Sequence, residues 1–232
     1  MRVEEGTVEV GAERLAATAV FAASGALPDI VSFHGLGVRT TRRRIRYLLD
    51  HLAGHGLSSV CFDFSGNGDS TGRMDRATLR IRAAEGRAVA ERLAGGAPRG
   101  LIGTSMGAHV AAVLSPVLRP RNLVLFCPAA YPEEATDRPF DERLARPGPY
   151  ADSPAFRALR DFEGDLLVVA AGMDAVIPRE VPELYVESAP SARSRRLVWL
   201  DDCEHLVHSW LERHDERRAA VLRDVAAELL DD

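Results

Sequence analysis

The residues best suited to chemistry stand in Gly103-Thr104-Ser105-Met106-Gly107. An apolar run, Gly100-Leu101-Ile102, leads into this pentapeptide, and Ala108-His109-Val110-Ala111-Ala112-Val113-Leu114 continues from it with a helical composition. A Gly-x-Ser-x-Gly between strand and helix predicts a turn so sharp that the serine hydroxyl stands clear of the backbone. The positions two before and two after the serine crowd each other in such a turn, and a Cβ there would clash. A helix opening at Ser105 also aims unpaired N–H groups and its positive dipole end at negative charge forming beside the hydroxyl. The pattern alone is weak, because Gly and Ser are common, and a free serine hydroxyl is a poor nucleophile at neutral pH. It needs a base, and the base needs an orienting acid.

Candidates for both stand where apolar runs end. Residues 29–33 end at His34-Gly35-Leu36-Gly37, residues 165–171 at Gly172-Met173-Asp174, and residues 195–200 at Asp201-Asp202-Cys203-Glu204-His205. Working groups in open α/β sheets collect at the carboxyl ends of strands. Ser105, Asp174 and His205 therefore fall at three such ends, in that chain order.

The elements that must position them follow from periodicity. Residues 7–10 and 14–21 read as an antiparallel hairpin turning at Gly11. Strands are predicted at 29–33, 58–64, 100–102, 122–127, 165–171 and 195–200. Helices are predicted at 42–52, with Ile45, Leu48, Leu49 and Leu52 on one face, at about 76–93, after Ser105, and at 206–230. Alternating strands and helices predict an α/β fold, a mostly parallel sheet covered on both faces. No repeat or interdomain linker interrupts 1–232, which reads as a single domain. The rhythm breaks at 129–163, which holds five prolines and the aromatics Tyr131, Phe140, Tyr150, Phe156 and Phe162. A connection this long between core strands is characteristic of a lid or a disordered loop; its aromatics favour an ordered lid, with Tyr131, Phe140 and Tyr150 first expected to line a substrate pocket, and a crossover helix that only covers the sheet is the alternative.

Composition narrows the partners. The chain has 232 residues, 46% of them hydrophobic and 27% charged, with net charge -5 and all 29 of its basic residues arginine. Nothing in that balance favours nucleic acid or an anionic membrane. Three cysteines, Cys61, Cys127 and Cys203, lack the spacing of a zinc or disulfide framework and sit in apolar runs. Reduced thiols, an acidic N-terminus without a signal-peptide core, and no apolar run of about 18 residues predict a cytoplasmic location. Oligomeric state is not legible.

Five pieces together, HGLG at 34–37, DFSGNGDSTG at 63–72, GTSMG at 103–107, GMDAVIP at 172–178 and CEH at 203–205, resemble the α/β-hydrolase superfamily over nearly the whole chain. The resemblance implies an α/β-hydrolase fold with an N-terminal antiparallel hairpin and a small lid. It implies a serine hydrolase acting on an ester or thioester of a small acyl substrate, free or carrier-bound, with no metal or organic cofactor. Ser105 would be the nucleophile, His205 its base and Asp174 the acid that holds the imidazole. Backbone N–H groups of Leu36 and Met106 would form the oxyanion hole, with Gly35 and Gly37 admitting the substrate carbonyl. Amidase, peptidase or carbon–carbon hydrolase chemistry, or a cyclase or lyase, would use the same residues.

Competitors remain at each position. Glu133 or Glu134 could replace Asp174 as the acid, and Asp201 and Asp202 precede His205 too closely to swing round onto it. His208 competes with His205. His109 and His34 read as structural, and His51, His55 and His214 as surface residues. The 63–72 stretch reads as a tight turn without a catalytic part. The arginines 42, 43, 44 and 46 are either a solvated helix face or a site for an anion such as a phosphopantetheine. Thr104 departs from the histidine that many superfamily members carry there, so the floor of the pocket is expected to differ.

Overall fold

The computed structural model describes residues 1–23, 25–37, 39–140 and 150–230. Its strands are β1 (Arg2–Val10), β2 (Glu13–Phe21), β3 (Ile30–Phe33), β4 (Ser59–Phe62), β5 (Gly100–Thr104), β6 (Asn122–Phe126), β7 (Asp165–Ala171) and β8 (Ser194–Leu200). They form one sheet in the order β1-β2-β4-β3-β5-β6-β7-β8. β1 pairs with β2, and β2 with β4, antiparallel; every pairing from β4 through β3 to β8 is parallel. The hairpin and the parallel sheet are thus as the sequence predicts.

β6 and β7 are buried at every position, as continuous Val/Leu runs require in a sheet covered on both faces. Side chains alternate between the faces along each strand. Leu101 and Leu123 join one apolar cluster with α2 (Leu79–Leu93), α3 (Met106–Leu118), α4 (Pro154–Leu159) and α5 (Glu180–Glu187). Ile102 and Val124 join the other, with α1 (Arg46–Gly54), α6 (Val207–Leu211) and α7 (Asp215–Leu230). β5, which leads to Ser105, lies between β3 and β6, the most shielded place in such a sheet.

Two elements differ from expectation. The single terminal helix over 206–230 is two, α6 and α7, broken at residues 212–214. His214 Nδ1 donates to the Trp210 carbonyl at 2.7 Å and its ring stacks on Trp210 at 3.9 Å, closing α6. Asp215 and Glu216 then open α7, where carboxylates complement a helix N-terminus. α5 was not foreseen at all. Of the expected lid, residues 141–149 lie outside the described residues. The remainder forms a 3-10 turn at Glu133–Ala135 and α4, whose Phe156 packs edge-on to Tyr185 at 5.1 Å. The three cysteines are free and buried. No helix among the described residues is long and apolar enough to cross a membrane.

Candidate active site

Ser105 joins β5 to α3 with φ 53° and ψ −116°. A residue with a Cβ pays about 1–3 kcal/mol for such a backbone, so the surroundings must hold it there. The Ser105 N–H donates to the Phe126 carbonyl at 2.9 Å, and the Ser105 carbonyl accepts from Ala129 at 3.1 Å. Both bonds tie the turn to the end of β6. A Cβ on Gly103 would lie 2.5 Å from the Gly107 carbonyl oxygen, the crowding expected between the two glycines. Gly107 faces elsewhere: a Cβ there would lie 2.2 Å from the Phe33 carbonyl oxygen, at the end of β3. Backbone cannot yield as a flexible side chain does. Gly107→Ala is therefore expected to cost about 1–3 kcal/mol by overpacking, read as a lower urea midpoint with the slope retained.

The strand ends bring the three expected side chains into one line. His205 Nε2 lies 3.1 Å from Ser105 Oγ, and His205 Nδ1 lies 2.8 Å from Asp174 Oδ2. The other oxygen, Asp174 Oδ1, accepts from the amides of Val176 at 2.8 Å and Ile177 at 2.9 Å. Burial works to raise the Asp174 pKa. The hydrogen bond to His205 and the Ile177 and Val176 amides outweigh it, and the net shift is downward. Asp174 is thus an anion at neutral pH, and its partner nitrogen carries the hydrogen. Nε2 is left as an acceptor facing the serine.

The loop after β3 reaches the same place. A Cβ on Gly35 would sit 3.2 Å from Ser105 Cβ. His34 shapes this loop as expected: Nδ1 donates to the Gly35 carbonyl at 2.8 Å, and Nε2 accepts from the Phe64 amide at 3.0 Å. Those bonds require a neutral ring, and burial lowers its pKa to about 4. Because a trans peptide sets C=O and N–H in opposite directions, anchoring the Gly35 carbonyl on His34 turns the Leu36 N–H away from that ring. Neither the Leu36 nor the Met106 N–H has an acceptor among the described residues.

The competing residues lie apart. Glu133 pairs with Arg157, and Glu134 with Arg138 at 3.2 Å, all on the surface. Asp201 and Asp202 are exposed and do not bond His205. His109 is buried one turn inside α3, its ring 5.1 Å from Tyr131, with burial lowering its pKa to about 3. His51 is half-buried, and His55 and His214 are exposed. The 63–72 stretch is structural: Asp63, fully buried, accepts the Arg42 amide at 2.7 Å and pairs with its guanidinium, which also reaches Asp69 at 2.9 Å and Glu5 at 3.0 Å. That network pins the start of the α1 segment over the sheet end.

A cavity of about 480 Å³ adjoins Ser105 and His205. Leu36, Phe33, Ile45, Phe62 and Val207 give it apolar walls. Its size lies within the range of small-molecule sites. Tyr131, Phe140 and Tyr150, expected as pocket residues, do not line it. Tyr131 is buried against His109, Phe140 lies under the Arg82 guanidinium at 5.5 Å, and the Tyr150 hydroxyl donates to Glu180. Each has a packing or surface partner away from the cavity lining.

A family model described as serine aminopeptidase, S33, matches residues 28–147, which hold the loop after β3 and the Ser105 turn. The chain belongs to that family of α/β-hydrolases. A ferulic-acid-bound structure of Est1E from Butyrivibrio proteoclasticus aligns at TM-score 0.74 and 17% identity, covering 97% of this chain and 99% of that one. The thioesterase domain from the curacin biosynthetic pathway aligns at TM-score 0.69 and 15% identity, over 100% of both chains. A malate-bound esterase from Thermogutta terrifontis aligns at TM-score 0.67 and 20% identity, over 96% and 99%. At these identities the likeness is one of fold. Curated proteins give no significant match to the sequence.

Two further features of this hydrolase escaped the sequence. His208 sits in α6, three residues past His205, and bridges the Thr104 hydroxyl at 2.8 Å and the Tyr47 hydroxyl at 3.0 Å. Burial and the nearby Arg44 charge lower its pKa to about 4, so the ring is neutral. It fastens α6 to both the serine turn and α1. His208→Ala strands two hydroxyls and is expected to cost about 1–3 kcal/mol in thermal or urea unfolding, with far less loss of turnover than His205→Ala. The second feature is Cys127, whose thiol lies within 4.8 Å of the Asp174 and His205 ligand atoms, the one group of three metal-binding side chains among the described residues. Asp174 Oδ2 and His205 Nδ1 bond each other, Asp174 Oδ1 accepts two backbone amides and His205 Nε2 faces Ser105, so these groups are engaged with one another and with the serine and do not converge on a shared point beside the Cys127 thiol.

Proposed function

We propose that this α/β-hydrolase cleaves a carboxylic ester or thioester through an acyl-enzyme on Ser105, the acyl group entering the 480 Å³ cavity. The observation that carries this is the unbroken line from Ser105 Oγ through His205 to Asp174, at 3.1 and 2.8 Å. Ser105 Oγ attacks the substrate carbonyl carbon while His205 Nε2 takes its proton. Asp174 stabilises the imidazolium so formed; with the His205 and Asp174 side chains only 18% and 7% exposed, water screens that pair weakly. The oxyanion accepts from the Leu36 and Met106 N–H groups, neither of which has an acceptor among the described residues. Collapse expels the alcohol or thiol, which leaves with the proton from His205. Water then attacks the acyl-serine, again losing its proton to His205, and releases the acid with Ser105 restored.

The family description favours one second reading, removal of an N-terminal amino acid. Such a substrate brings an ammonium group. The described lining of the cavity holds Arg39, Arg42 and Arg44 and no carboxylate, which repels it. The ester or thioester reading is therefore preferred, and the solved relatives named as esterases and as a thioesterase support it.

The test is a panel of p-nitrophenyl esters and acyl thioesters of graded chain length, run beside amino-acid p-nitroanilides. Turnover of esters or thioesters with little of the anilides is the expected result. Preferential cleavage of the anilides would replace this reading with the aminopeptidase one.

A further inference from the structure

We propose that the substrate carries an anionic group, a carboxylate or a phosphate, which Arg39 and Arg44 hold at the rim of the cavity beside Ser105. This rests on the hydrolase reading and names the substrate class for the same site.

The cavity has an apolar interior and a cationic rim. Three of its lining residues are arginines, and none of its described lining residues is Asp or Glu, in a chain whose net charge is -5. These arginines are not alike. Arg42 is buried and spent on Asp63, Asp69 and Glu5. Its neighbours outside the cavity are spent too: Arg43 pairs with Asp69 at 2.8 Å and Arg46 with Asp50 at 2.6 Å. Arg44 and Arg39 break this habit. Arg44 is exposed, and among the described residues its guanidinium donates only to a neutral acceptor, the Ser209 hydroxyl across the cavity in α6. Arg39 is exposed and has no hydrogen-bond or ion-pair partner among the described residues.

The charge of Arg44 is felt inside, since it helps to keep His208 neutral. Guanidinium groups offer paired N–H donors in the geometry that carboxylates and phosphates accept. With carboxylates nearby, each would be neutralised like Arg43 and Arg46. Without them, the rim holds uncompensated positive charge directly over the entrance to an apolar pocket. A neutral ester would leave that charge unused. A substrate with an apolar part to fill the interior and an anion to meet the rim uses both.

The anion has two chemical sources: a terminal carboxylate on the acyl group, or a phosphate on the leaving group, as in a phosphopantetheine thioester. Matched pairs separate them. One pair is p-nitrophenyl hexanoate and the p-nitrophenyl monoester of adipic acid. The other is S-hexanoyl pantetheine and S-hexanoyl 4′-phosphopantetheine. We expect the anionic member of at least one pair to have kcat/KM about tenfold or more above its neutral partner at low ionic strength. That ratio should shrink in 0.5 M NaCl and fall towards one in Arg39→Gln with Arg44→Gln. The ratio is the readout, because a structural defect would lower both members of a pair alike. Pantetheine and 4′-phosphopantetheine, added as competitors of fluorophosphonate labelling, give the same comparison without turnover. Ratios near one in both pairs, with the neutral members hydrolysed, overturn the anion proposal and leave the hydrolase reading standing. No hydrolysis of any member and no label on Ser105 overturns both.

Discussion

A fluorophosphonate is expected to add to the folded protein once, at the peptide holding Ser105, and nowhere else. The reagent reacts with a serine whose proton has somewhere to go, and it ignores ordinary surface hydroxyls. Ser105 meets that condition because His205 Nε2, its hydrogen-bond partner at 3.1 Å, is kept as an acceptor by the Asp174 carboxylate on the other ring nitrogen. The backbone strain at φ 53° lifts the hydroxyl from the turn, and in the proposed mechanism the N–H groups of Leu36 and Met106 would receive the phosphonyl oxygen as they would an oxyanion. Ser105→Ala should abolish labelling, and His205→Ala should slow it greatly. His208→Ala should still label, because its ring contacts Thr104 and Tyr47 and not Ser105. Members of such a set act as a unit, so losing either Ser105 or His205 should cost on the order of 10⁶ in kcat on a good substrate. No adduct in folded protein, or an adduct at another serine, would remove Ser105 from the proposed mechanism.

The parts legible in the sequence were those fixed by backbone geometry and local order. Gly103 and Gly107 announce Ser105 because a Cβ at either would strike backbone, that of Gly107 and Ala108 for the first and the end of β3 for the second. Asp174 and His205 are legible as the polar residues that end the β7 and β8 runs, and the sheet order then carries both strand ends to the same edge as β5. What the sequence hid depends on contacts made at long range. His208 meets Thr104 and Tyr47 across more than a hundred residues, so a histidine supplied from α6 to the serine turn leaves no local trace. The arginine run at 42–46 shows the same limit. Sequence treats its members as equivalent, whereas burial gives Arg42 to Asp63, and only position leaves Arg44 at a cavity rim. The break between α6 and α7 was missed because His214, a side chain bonding a carbonyl, stops the helix where glycine or proline would have been read. The pocket aromatics were placed by composition alone, and composition does not say which neighbours a ring will pack against.

Replacing Asp174 by asparagine should preserve the fold and remove about four orders of magnitude from kcat. The reason lies in which oxygen does what. Oδ1 accepts two backbone amides, from Val176 and Ile177, and an asparagine can keep those bonds only by leaving its carbonyl oxygen there. Its NH₂ group must then take the place of Oδ2, 2.8 Å from His205 Nδ1. A donor facing Nδ1 forces the hydrogen of the neutral ring onto Nε2, which then points a donor at Ser105 Oγ and cannot take its proton. Sterically almost nothing changes, so the unfolding midpoint should move little while turnover and fluorophosphonate labelling fall together. Asp201→Asn and Asp202→Asn, on exposed carboxylates that do not bond His205, should do far less. Near-normal turnover in Asp174→Asn would show that the ring is oriented by another group. Glu133 and Glu134 would then have to leave Arg157 and Arg138 to reach it, and Glu133→Gln or Glu134→Gln would carry the loss instead.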